Sequence, residues 1–324
     1  MNAVTKNKQG DAILRKMLSQ AFGDKVDVEQ AKFKELEGGF CNVVYLTSFE
    51  NGEEYIIKIA PHKGITMMSY EKGLLETEVA VLKLIEEEMD VPIPKVIFYD
   101  STETICNAPY FIMSKIEGIP YNEIQEQLID IEHFEVRRQI GMFNYKMNQI
   151  KGVHFGLFSN EATWHTSWKA CMLGLFRMML DDGIVAGSNL KHISYEALWK
   201  LINEKADVLE DVTEPSLVHW DLWDGNVFVK NKVFSGIIDF ERALWGDILM
   251  EHEFSGFGEP AEGFGEGYGK KTYSRSELQR RSLYRLYRYL SMIIECDYRQ
   301  YEENWQYDWI TSELEKELHR LRAF

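Results

Sequence analysis

Residues 217–240, LVHWDLWDGNVFVKNKVFSGIIDF, hold the side chains best suited to chemistry: Asp221, Asn226 and Asp239. Two β-type runs flank the polar pair Asn231-Lys232, the pattern of a hairpin closed by a short turn. A two-residue turn there sets Asn226 opposite Ile237 and leaves Asp239 one diagonal step further on. The period-two alternation of strands then puts Asn226 and Asp239 on one face. Diagonal neighbours are about 7–8 Å apart, a separation that two oxygen ligands can span to share a magnesium ion about 2.0–2.1 Å from each. Asp221, five residues before Asn226, stands in an irregular stretch that lets it face a substrate while the other two hold the metal. Singly, each could be a loop residue capping a turn; the joint spacing carries the signal.

These residues need a scaffold, and the chain offers two kinds. The first third reads as short strands at 32–36, 43–49, 55–60, 96–99 and 110–114, with one helix over about 71–88. Val91-Pro-Ile-Pro-Lys95 ends that helix, because proline lacks the amide donor and disfavours the helical region in the residue before it. Lys58 sits in the apolar strand on the face shared by Ile56 and Ala60, an unusual place for a lysine without a task. On the helix, Leu75, Val79, Leu82 and Ile85 form one stripe; Glu78 flanks it, Glu76 projects away, and Glu86, Glu87 and Glu88 read as a solvated end. Beyond Lys115-Ile-Glu-Gly-Ile-Pro120, apolar residues recur with helical spacing over 122–150, 166–182, 194–210 and 276–322.

The spacing His219-x-Asp221-x-x-x-x-Asn226, followed by Ile-Ile-Asp239-Phe-Glu, resembles the catalytic and metal loops of the protein-kinase-like superfamily, specifically of the aminoglycoside phosphotransferase and choline kinase family of small-molecule kinases. The resemblance implies an α+β, bilobal fold. A small antiparallel-sheet lobe with one main helix, residues 1–115, would bind nucleotide, and a larger, mostly helical lobe, residues 116–324, would carry catalysis and the acceptor. It implies that Asp221 accepts the proton of the acceptor hydroxyl, that Asn226 and Asp239 bind Mg2+ on the phosphates of ATP or GTP, and that Lys58 pairs with Glu78. Glu37-Gly-Gly-Phe-Cys-Asn42 would be the phosphate-covering turn, with Gly38, Gly39 and Asn42 facing the nucleotide, and the base would lie near Met113 to Ile116. His219 reads as ordering the loop through backbone hydrogen bonds. Many relatives have glycine and histidine where this chain has Trp220 and Trp223, which read as packing residues, with Trp223 also a candidate for the acceptor pocket. Asp247 reads as a brace for the catalytic loop.

Other readings fit less well. A protein kinase would have arginine beside the catalytic aspartate, where Trp220 stands, and an Ala-Pro-Glu-like segment end. A non-catalytic nucleotide or ligand binder would not need the full set of chemical groups. A glycoside hydrolase using Asp221 and Asp239 would leave Lys58, Asn226 and the glycine turn without a role.

The 324 residues carry 36 basic and 52 acidic side chains, a formal charge of −16 that repels phosphate backbones and anionic lipids, so nucleic acid and membrane partners are not expected. Four cysteines without metal-site spacing and the absence of a long apolar run suggest the cytoplasm. The acceptor, expected to be a cationic or hydroxylated small molecule such as an amino-sugar, macrolide or amino-alcohol, would meet residues 251–266, which hold five glutamates and no lysine or arginine.

Overall fold

The structure, a computed structural model, describes residues 5–36, 41–300 and 305–324. Its first lobe is built on an antiparallel sheet of β1 (Lys32–Leu36), β2 (Val43–Ser48), β3 (Glu54–Ile59), β4 (Val96–Asp100) and β5 (Tyr110–Ser114), in the order β1-β2-β3-β5-β4. Alternation along the central β3 decides what each face meets. Ile57 and Ile59 pack with Leu14, Met17 and Leu18 of α1 (Asp11–Phe22). Ile56 and Lys58 turn the other way, toward α2 (Leu74–Glu88), whose buried stripe includes Leu75, Val79, Leu82 and Ile85. The strand pattern and α2 match the sequence-based expectation; α1 is an additional helix that covers the second face of the sheet. The proposed glycine turn at Gly38 and Gly39 lies outside the described residues.

The second lobe carries two three-stranded patches, made from β6 (Ile119–Pro120), β7 (Gly156–Leu157), β8 (Ser216–Val218), β9 (Val227–Lys230), β10 (Val233–Ile237) and β11 (Leu244–Gly246). Around them pack α3 (Tyr121–Ile124), α4 (Asp130–Asn148), α5 (Trp168–Ala186), α6 (Tyr195–Lys205), α7 (His252–Ser255), α8 (Glu262–Tyr268), α9 (Arg275–Arg299) and α10 (Trp305–Ala323). The 25-residue α9 starts at a capping box of Ser274 and Glu277 and threads Leu283, Leu286, Leu290, Ile293 and Ile294 through the core. Two expected helices are each divided. The 122–150 pattern breaks at a short 3-10 turn, Gln125–Gln127, and the 276–322 pattern breaks after α9, where Gln300 adopts a left-handed φ of 52°.

The hairpin forms where expected, with Asn231 and Lys232 at φ of 52° and 66°, as a primed two-residue turn requires. Its register differs from the simple alternation. Val233 faces Lys230 and Phe234 faces Val229, but Gly236 then faces Phe228, so Ser235 is an extra residue in a β-bulge. Asn226 consequently faces Ile238, whose amide donates to the Asn226 carbonyl at 3.0 Å. A shared strand face therefore does not bring Asp239 to the site. It arrives by a left-handed turn, φ 70° and ψ 57°, immediately after the strand.

Candidate active site

Asp221, Asn226 and Asp239 all line one cavity of about 640 Å³, walled mostly by the second lobe, α9 included, with Cys41 contributed by the first. Asn226 ends a 3-10 turn, and its Nδ2 donates to the Asp221 carbonyl at 2.8 Å, which fixes the amide and, among the described residues, leaves Oδ1 without a donor. Trp220, directly before Asp221, is held at φ 65°, a strained conformation for so bulky a side chain. The strain is held from both sides, since the Trp220 amide donates to Glu251 at 3.2 Å and its carbonyl accepts from Arg288 Nη2 at 2.7 Å. Glu251 also accepts from the His219 amide at 3.0 Å and from Asn148 Nδ2 at 2.8 Å, so a fully buried carboxylate organises the loop. His219 Nε2 lies 3.1 Å from the Ile238 carbonyl, tying the two loops together, and burial keeps this imidazole below its usual pKa. That is the loop-ordering part expected of it.

Burial raises the Asp221 carboxyl above its ordinary value, while the positive charges of Arg242 and Arg288 pull it back. Arg242 Nε is 4.0 Å from Asp221 Oδ2, and its Nη2 is anchored 2.6 Å from Glu295. A carboxylate that stays accessible from a cavity with a raised pKa is suited to take a proton.

Lys58 is the hub of the second cluster. Its Nζ lies 2.6 Å from Glu78, 2.6 Å from Asp239 and 2.8 Å from Glu241. Despite burial, these carboxylates hold the ammonium well above its usual pKa. One cation cannot neutralise three carboxylates, and the protons divide accordingly. Burial pushes Glu78 up to about 8 even with Lys58 beside it, and burial together with Asp239 raises Glu241. Burial opposes ionisation of Asp239 too, but there Lys58 prevails and the carboxyl is held below its usual value. Glu78, Asp239 and Glu241 are close enough to one another to hold a metal, yet the Lys58 ammonium sits among them, so this cluster is a lysine seat. The Asn226 Oδ1 and the Asp239 oxygen not bonded to Lys58 remain as hard oxygen donors, a set that fits magnesium.

The structure brings together Asp221, Asn226, Asp239, Lys58 and Glu78. Asn42 joins through Glu241, which accepts from its Nδ2 at 2.5 Å. Glu241 was not singled out from sequence, although its position two residues after Asp239 was visible. Met113 and Ile116 do not line the cavity; Met113 is buried in the core, and Ile116 packs against the bulge glycine Gly236. Asp247 does not brace the catalytic loop. Its carboxylate anchors α9 through Arg280 Nε at 2.8 Å and Tyr284 OH at 2.7 Å, and the brace is Glu251. Trp220 packs, buried against Tyr70 and Tyr287, whereas Trp223 is 41% exposed and lines the cavity with its ring over Gly225, where any Cβ would collide. Of the five glutamates in residues 251–266, four are engaged by other groups. Glu251 is consumed by the loop, Glu253 pairs with Arg137 at 2.6 Å, and Glu259 pairs with Arg281 at 2.8 Å. Glu266 pairs with Lys271, so each of these four charges has a partner.

A model of the phosphotransferase enzyme family (APH) matches residues 32–278. A Vibrio cholerae protein assigned as a ketoamine kinase is 22% identical over 263 residues, covering 76% of this chain and 80% of its own. Among solved structures, a protein of Haemophilus somnus assigned as a fructosamine-3-kinase superposes with a TM-score of 0.68 at 18% identity, covering 94% of this chain and 97% of its own. The streptomycin–ATP ternary complex of APH(2")-IIa gives 0.60 at 17% identity, with 95% and 97% covered.

Proposed function

This chain belongs to the phosphotransferase enzyme family, and on that premise we propose that it transfers the γ-phosphoryl group of ATP or GTP to a hydroxyl of a small amine-bearing metabolite such as a sugar-derived amine or amino-alcohol. The observation that carries this reading is the convergence of Asp221, Asn226 and Asp239 on one cavity, with Lys58 bonded to Asp239 at its edge. Similarity to proteins assigned as ketoamine and fructosamine kinases supports a sugar-derived amine as acceptor.

In this mechanism Asp221 orients the acceptor hydroxyl and accepts its proton as the oxygen bonds to the γ-phosphorus. The bond from that phosphorus to the β,γ-bridging oxygen breaks, and the nucleoside diphosphate leaves. Arg242 and Arg288 keep Asp221 more acidic than burial alone would leave it, which favours the ionised form that accepts the proton. Lys58, steadied by Glu78 and Glu241, offsets phosphate charge, and Asn42 bonds Glu241 beside that lysine. Asn226 and Asp239 would hold a magnesium ion, which when bound neutralises charge on the phosphates. We place the lobe boundary between residues 115 and 116, in keeping with a sheet that ends at Ser114 and a chain that next pairs Ile119 with Val229. Four unpaired cysteines are in keeping with a reducing compartment such as the cytoplasm.

The test is magnesium-dependent phosphorylation, with ATP and with GTP, across ketoamines, amino-sugars, macrolides and amino-alcohols, read by mass spectrometry. A product heavier by one phosphate is expected, with turnover lowered by about two to four orders of magnitude in Asp221→Asn while nucleotide affinity holds. Tight nucleotide binding with no product from any acceptor would instead favour a non-catalytic nucleotide-binding protein.

A further inference from the structure

The arginines of the cavity are not equivalent. Arg137 is paired with Asp224 at 2.7 Å and Glu253 at 2.6 Å, and Arg242 with Glu295 at 2.6 Å. Arg288 has no such partner. It is 94% buried, it lines the cavity from α9, and among the described residues its guanidinium makes one hydrogen bond, from Nη2 to the Trp220 carbonyl. Its Nε is buried with no acceptor, and among the described residues no carboxylate lies within 4.0 Å of it. Asp221 acts on it from beyond ion-pair distance, so the buried guanidinium lacks an anion in contact, which is costly, and the planar fork of donors is shaped for two oxygens of one anion.

The surroundings repeat the pattern. Trp220 Nε1, a donor only, and His252 Nδ1 are also buried without partners, and both residues line the same cavity. Burial keeps His252 neutral, far below its ordinary pKa, so its ring adds hydrogen-bonding capacity and no charge. Arg288, Ser291, Met292 and Glu295 share one face of α9 and all line the cavity. Arg288 belongs to the helical lobe, lines the cavity together with Asp221, and bonds the carbonyl just before Asp221. A molecule that offers its hydroxyl to Asp221 therefore has a cation within reach of its remaining groups.

We propose that the acceptor carries a carboxylate seated on Arg288, so that the substrate class is a hydroxylated amino acid or a sugar adduct of one, not a purely cationic amine. The proposal rests on the kinase reading above and narrows its acceptor. The other anion that could reach this guanidinium is the phosphoryl group in transfer, and the two sources give different kinetics. A seat for the acceptor carboxylate acts on acceptor affinity and only on acidic acceptors; a seat for the phosphoryl group acts on turnover with every acceptor.

The experiment uses acceptor pairs that differ by one carboxylate: serine against ethanolamine, and the glucose-derived ketoamine of glycine against that of methylamine. Binding to the full-length protein with a non-hydrolysable ATP analogue present is measured by calorimetry, alongside phosphorylation kinetics. Charge-assisted hydrogen bonds predict a preference of about 10- to 100-fold for the acidic member of at least one pair. In Arg288→Gln that preference should fall toward unity, and Arg288→Lys should restore part of it. Unchanged ATP-analogue affinity and an unchanged melting profile would show that the variants fold. Equal binding within both pairs, binding of no member of either pair, or a carboxylate preference that survives undiminished in Arg288→Gln overturns the proposal; a uniform change in kcat is expected from the effect of Arg288 on Asp221 and does not bear on the seat. A carboxylate preference in binding with no phosphorylated product would uphold it while removing the kinase reading.

Discussion

At Asp221 two opposing effects set the proton affinity: burial raises it, and Arg242 and Arg288 lower it. A general base works only when deprotonated, so kcat/KM should fall as pH drops through a group whose pKa lies above the ordinary 3.8. Removing one of the lowering charges should move that acidic limb further up. The expected outcome is that Arg242→Gln shifts the limb of the kcat/KM profile to higher pH; a limb that stays in place would mean Arg242 does not act on Asp221. The same residue-scale logic separates the two arginines, since Arg242 is held by Glu295 and Arg288 is not.

At the scale of elements, a bulge, two left-handed residues and one buried glutamate hold the loops. Ser235 shifts the hairpin register, Trp220 and Asp239 turn the chain at φ of 65° and 70°, and Glu251 collects donors from His219, Trp220 and Asn148. Glu251→Ala leaves the buried amides of His219 and Trp220 unpaired at a cost of about 2 kcal/mol or more, and it releases the loop that presents Asp221. Urea unfolding should show that loss together with a drop in kcat. Asp247→Ala should cost stability through α9 while the surviving folded enzyme keeps more of its kcat, because Asp247 holds Arg280 and Tyr284 and not the catalytic loop.

For the molecule as a whole, buried charges join the lobes. Lys58 of the sheet meets Asp239 and Glu241 of the second lobe; Glu71, just before α2, pairs with Arg299 at the end of α9; and Tyr70 donates to Glu295. Burial pushes Glu78 up to about 8 and Glu71 up to about 7, each against an adjacent cation. Between the ordinary 4.5 and these values the folded state binds more protons than the unfolded one, so these two groups make stability fall as pH rises. Without nucleotide, the melting temperature should be higher near pH 6 than near pH 8.5, and Glu78→Gln should flatten that slope. A slope unchanged in Glu78→Gln would remove the Lys58 cluster as its source.

Much of this was legible in the chain, because local rules act on neighbouring residues. Alternation fixes which face of β3 carries Lys58, the apolar stripe fixes which face of α2 carries Glu78, and Asn231-Lys232 specifies a primed turn. The spacing of Asp221, Asn226 and Asp239 was enough to carry the resemblance to the family that the chain matches. Tertiary structure decided what depends on partners distant in sequence. Whether a glutamate is free or consumed is such a question: Glu251 and Asp247 look alike in sequence, and only packing assigns one to the loop and the other to α9. The acidic run at 251–266 is altered for the same reason, since Arg137 of α4 and Arg281 of α9 reach Glu253 and Glu259. Arg288 is the converse case, one of several arginines on an ordinary helix until burial against Trp220 leaves it without an anion. Charge is a property of the residue, but its neutralisation is a property of the fold, because the low-dielectric interior makes each buried charge depend on whichever groups the chain brings within a few ångströms.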